Sequence, residues 1–115
     1  MAWAPRLSHL LKILLRRRDP AAAEGLFLEG SIEFEKGETE TARLMFLYGT
    51  RLDPDMAGNF YNLAVATEKL DGNSERTIAA WDAYLAAAER DPRQPQETRN
   101  KVREHVRTLK SDART

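Results

Sequence analysis

The side chains in this sequence that could act as acids, bases, nucleophiles or metal ligands stand at spacings that argue against each role. The two histidines, His9 and His105, stand near opposite ends of the chain. Neither has acidic or histidine neighbours at the helical spacing that a metal ligand set requires. Cysteine is absent, which removes disulfides, thiolate metal sites and thiol nucleophiles together. The glutamates at 29, 33, 35, 38 and 40 are dense but lack the paired partner that general acid–base chemistry needs, so a solvated acidic face is the better account. No glycine-rich phosphate loop and no nucleophile elbow is present. The expectation is therefore no catalytic residue, no metal and no cofactor, in a protein that is not an enzyme.

Binding is the chemistry that remains. The formal net charge is zero, which gives no reason to expect nucleic acid as a partner. Locally the charge is uneven. Arg6, Lys12, Arg16, Arg17 and Arg18 face only Asp19 in the first twenty residues, and the next twenty hold Glu24, Glu29, Glu33, Glu35, Glu38 and Glu40 against Lys36. The tail after Pro92 is basic again. Solvated helix faces account for most of these charges, and the asymmetry can also steer docking, self-association or an oppositely charged partner. The apolar run Leu10–Leu15 is too short to span a bilayer. Its basic cluster follows the run, whereas a secretory signal places basic residues first. A cytoplasmic protein is expected on that basis.

Positioning such residues falls to helices. The dipeptide Asp-Pro recurs at 19–20, 53–54 and 91–92, each time after a helix-favouring stretch, with the prolines 34 and then 38 residues apart. Proline disfavours helical geometry in the residue before it, and Asp can cap a following helix, so each pair marks a boundary. Between them Gly37 and Asp71-Gly72-Asn73 make a second break, where glycine can take the left-handed conformation past a helix end. Thr39 or Ser74 would cap the helix that follows. This predicts helices over 5–18, 22–36, 40–52, 56–70, 75–90 and 95–110, with no strand. Apolar residues make up 42% of the 115-residue chain, enough for one modest core.

These spacings resemble the tetratricopeptide repeat (TPR). Leu26, Gly30, Gly37, Ala42, Phe46 and Pro54 fall at the repeat's positions in residues 23–54. Phe60, Leu63, Ala64, Ala80, Tyr84, Ala87 and Pro92 do so in 57–92, with four extra residues around Asp71 to Glu75. The resemblance implies an all-α, TPR-like helical solenoid of antiparallel helix pairs, about six helices. Residues 5–18 would form a half-repeat or cap, 23–54 and 57–92 the repeats, and 95–110 a C-terminal cap. Small residues at Gly30, Ala42, Ala64, Ala80 and Ala87 would let helices approach, while Phe46, Phe60, Trp81 and Tyr84 fill the space between pairs. Glu29, Glu33 and Thr67 depart from normally apolar positions. A rotation of helix 22–36 that buries Phe27 and Phe34 in place of Leu26 therefore stays open.

The resemblance also implies a function, an adaptor or scaffold whose first helices line a groove for another protein's peptide or helix. The groove residues carried over are Glu24, Phe27, Ser31, Phe34 and Glu35, then Tyr61, Asn62, Val65, Glu68 and Lys69, with Arg99 and Arg103 from the cap. Of the residues that would grip a chaperone's carboxylate tail, only Asn62 matches, so that ligand is not expected. The first helix has an apolar stripe of Trp3, Leu7, Leu10, Leu11, Leu14 and Leu15 beside its basic residues. Such a helix suits an anionic membrane surface, but packing against its acidic neighbour 22–36 is the preferred reading. An incomplete repeat could also join two copies through the end helices.

Overall fold

The computed structural model describes residues 3–15 and 17–113. Arg16, named above among the basic residues, lies outside them. The described residues form six α-helices and no strand: α1 (Leu7–Leu14), α2 (Pro20–Glu35), α3 (Thr39–Leu52), α4 (Ala57–Asp71), α5 (Glu75–Arg90) and α6 (Gln96–Ala113). Sequential neighbours pack in pairs from α2 to α6, α2 also reaches α4, and α1 lies against α3.

Local chemistry explains most of the ends. Asp19 Oδ1 accepts from the Ala22 N–H at 3.0 Å, with Pro20 in the first helical position where a missing N–H costs nothing. Ser74 Oγ accepts from the Thr77 N–H at 3.1 Å and starts α5. Gly37 and Gly72 have φ of +86° and +64°, the left-handed region that a side chain would strain. Two expectations need correction. Thr39 is not a cap: Glu38 holds that position, and Thr39 is a buried first-turn residue. The first helix covers 7–14 rather than 5–18. It has no side-chain cap and no acidic residue in its first turn, and the Arg17 N–H bonds back to the Lys12 carbonyl at 2.7 Å where the chain turns toward Asp19.

The Asp-Pro corners stack along one edge of the molecule and are tied to one another. The Asp19 N–H donates to the Leu52 carbonyl at 2.9 Å. Asp91, almost fully buried, accepts from the Ala57 N–H at 2.9 Å and so caps α4 from a corner 34 residues away. Arg90 donates to Asp55 and to the Pro54 carbonyl, each at 3.2 Å, and Arg18 pairs with the same Asp55. The near-constant spacing of these dipeptides thus becomes a ladder of contacts.

The core runs through the stack in three clusters. Ala23, Leu26, Met45 and Leu52 join α2 to α3, with Trp3 and Ile13 packed on them. Ala42, Phe46 and Ala66 link α3 to α4. Ala57, Ala64, Trp81, Tyr84, Ala87, Ala88, Val102, Val106 and Leu109 bind α4, α5 and α6. Gly30 is obligatory here: a Cβ would sit 2.6 Å from the Phe46 ring. Gly49 meets the buried Asn59 amide in the same way, at 2.4 Å. Asn59 Nδ2 in turn donates to the Ala23 carbonyl at 3.1 Å, tying α4 to α2. Leu26 is buried and both Phe27 and Phe34 are half-buried, so α2 is not rotated to exchange them.

Candidate functional site

Helices α2 and α4 are in contact, and α6 lines a cleft together with α4. Three clefts run along this face, and Tyr61 lines all of them. Tyr61 is held by edge-on contacts to Trp81 and Tyr84, with ring centroids 5.2 and 5.3 Å apart. Its position is therefore set by the core while part of its ring stays accessible.

The first cleft lies between Phe27, Gly58, Tyr61, Asn62, Gln94 and Thr98. Gln94 is fixed there because its Oε1 accepts from the Tyr84 hydroxyl at 2.8 Å. Burial pushes the Tyr84 hydroxyl pKa above its ordinary value, so it remains a donor at neutral pH. The second cleft lies between α2 and α4, with Ser31, Phe34, Glu35, Asn62 and Val65 around a floor of Phe46. Ser31 Oγ is already engaged, donating to the Phe27 carbonyl at 2.7 Å. The Lys69 ammonium sits 4.9 Å from the Phe34 ring centroid, a cation–π contact that leaves its charge near the surface.

The third cleft, of about 670 Å³, opens between α4 and α6 over Trp81. Its centre is Glu68. The Trp81 indole N–H and His105 Nε2 both lie 2.7 Å from Glu68 Oε1, and the two rings meet edge-on at 5.5 Å. Lys69 and Lys101 flank this cluster, and Thr98 and Val102 complete the α6 wall. The arrangement offers an apolar strip, an uncommitted amide at Asn62, and a polar end with two lysines around one carboxylate. Such a surface can seat an extended or helical segment and fix its direction.

Of the residues expected at a groove, Phe27, Ser31, Phe34, Glu35, Tyr61, Asn62, Val65, Glu68 and Lys69 line these clefts. The two cap residues are placed apart from these clefts. Arg99 donates to Gln96 and Arg103 to Asn100 on α6 itself, and neither lines a cleft. Val102, Val106 and Leu109 form the buried stripe of α6, which turns Thr98, Lys101 and His105 toward the clefts and Arg103 away. That stripe, at helical spacing, was the available signal. Glu24 is exposed outside the clefts, close enough for its charge to act on Arg93. Trp81, expected only as filler, is the floor of the third cleft. The Glu68–His105 pair spans 37 residues and has no local signal.

Among the described residues no group of three or more His, Asp or Glu side chains is placed to hold a metal ion, and none of their helices is long and apolar enough to cross a membrane. No protein-family model, no curated protein and no solved structure matches the chain.

Proposed function

We propose that the chain is a TPR-like helical repeat module that acts as an adaptor or scaffold, holding a segment of another protein along the face shared by α2, α4 and α6. The observation that carries this reading is the continuity of the three clefts through Tyr61. A partner segment meets aromatic and aliphatic surface at Phe27, Phe34, Tyr61 and Val65, a hydrogen-bonding amide at Asn62, and lysines at one end. Aromatic anchors of this kind bury much area at low entropic cost. The helix pairing, the glycine turns and the stacked Asp-Pro corners support the repeat assignment. The reading is non-catalytic: Glu68 and His105 are engaged with each other, and the Ser31 hydroxyl with the Phe27 carbonyl.

The test is selection of peptide ligands from a random library on the immobilised protein, followed by calorimetric titration of the selected peptides. Asn62→Arg places a long cation at the junction of two clefts without removing a core contact. Binding should be lost in that variant while circular dichroism stays unchanged. Peptides that bind wild type and Asn62→Arg equally would remove the groove from consideration.

A further inference from the structure

The amphipathic N-terminal helix does not bury its leucines. Trp3 and Ile13 face the α2–α3 core, whereas Leu7 and Leu14 are 80% and 78% exposed and Leu11 and Leu15 more than half exposed. On α2, Leu28 and Ile32 are also more than half exposed, one turn apart. Leu11 and Leu15 stand one turn on from Ser8 and Lys12, and Leu28 and Ile32 one turn on from Gly25 and Glu29; those four residues line a cleft between the two helices. Together the exposed leucines and Ile32 make an uncovered aliphatic end face on the N-terminal side of the stack.

We propose that this face is a self-association surface, in which α1 of one copy covers Leu28 and Ile32 of a second copy about a two-fold axis. Charge chooses the occupant. The α1 leucines are bracketed by the exposed Arg6 on one side and the exposed Arg17 on the other, while Arg18 beside it is paired with Asp55. The α2 pair is bracketed by the exposed Glu24, Glu29 and Glu35. Packing α1 on α2 of the partner brings the cations to the carboxylates, and a two-fold axis makes that contact twice. Packing α1 on α1 would set arginine clusters against each other. Docking the whole face on an anionic bilayer would press the α2 glutamates against lipid phosphates. Leucine-sized side chains at these exposures present roughly 600 Å² per copy, near the ~800 Å² per partner of a standard interface, and well above scattered surface leucines. In a helix stack an end pair leaves such a face for the next helix; here the second copy supplies it.

The test is sedimentation equilibrium of the full chain over a wide concentration range, with helicity checked by circular dichroism. Wild type should form dimers, and Leu7→Glu/Leu14→Glu should be monomeric with unchanged helicity. A charge-reversal pair then reads the register. Arg6→Glu/Arg17→Glu and Glu24→Lys/Glu29→Lys should each be monomeric alone and should form a dimer when mixed. Wild type that stays monomeric at the highest concentration would overturn the proposal. So would a Glu24→Lys/Glu29→Lys variant that dimerises alone, or wild type that binds phosphatidylglycerol vesicles through the leucines without self-associating.

Discussion

The Asp91 carboxylate accepts from two backbone N–H groups, those of Ala57 and Arg93. Burial alone would raise its carboxyl pKa. Hydrogen bonds from the Arg93 side chain and from the Ala57 and Arg93 N–H groups, with the guanidinium charge, outweigh that and hold it below its ordinary value of 3.8. As pH falls below that value the unfolded chain takes up the proton first. The stabilisation is therefore complete above it and is lost as pH drops through the lowered folded value. Urea midpoints measured from pH 7 down to acid should fall more steeply for wild type than for Asp91→Asn. At pH 7 the substitution should cost about 1–3 kcal/mol, and the two curves should converge in acid. Gly30→Ala and Gly49→Ala test packing rather than charge. Each Cβ would enter a filled site, against a phenyl ring or the Asn59 amide, and a loss of roughly 1–3 kcal/mol in denaturant titration is expected. Glu68→Ala should cost about 1–2 kcal/mol, since it strips the Trp81 indole of its acceptor; it should also alter tryptophan fluorescence.

At the scale of helices, the ends of the stack differ from its middle. Helix α1 contains no buried residue, while α3 and α5 carry buried side chains along their whole length. Native-state hydrogen exchange should therefore find α1 least protected in dilute protein and α3, α4 and α5 most protected. If α1 is covered by a second copy, its protection should rise with protein concentration while that of α4 does not. Helix α6 is held by Val102, Val106 and Leu109 against α5. Leu109→Ala should cost about 2–4 kcal/mol and raise exchange in α6 ahead of α3. The carbonyl of Leu109 also accepts from Asn73 Nδ2 at 2.9 Å, so the turn between α4 and α5 should loosen with it.

The whole molecule measures 44 × 33 × 24 Å, a short stack in which contacts are mostly between sequential neighbours. Stability in such an arrangement is close to a sum of unit and interface terms. Removing the chain beyond residue 92 uncovers Trp81 and Tyr84 and deletes the α6 wall of the third cleft. The shortened protein should unfold at lower urea than wild type, and its tryptophan emission should move to longer wavelength. Loss of peptide binding in that variant, together with retention in Leu7→Glu/Leu14→Glu, would separate the cleft face from the end face.

Helix number, the breaks at Gly37 and Gly72, and the Asp-Pro boundaries were legible in the sequence because they follow from the backbone preferences of single residues. Proline and glycine act on their own φ and ψ wherever they stand. The α2 and α4 residues of the clefts came from the resemblance to the repeat, which left Phe27 and Phe34 open between groove and core. Direction across helices was not legible. Only packing decided that Leu26 goes inward and Phe27 and Phe34 to the cleft edge, and that Asp91 caps a helix 34 residues earlier. Only packing left the α1 leucines outside, because one narrow helix offers a single side to the α2–α3 core and that side was filled by Trp3 and Ile13. Local propensity acts through bonded neighbours and can be read along the chain, whereas these outcomes depend on which surfaces compete for the same buried space.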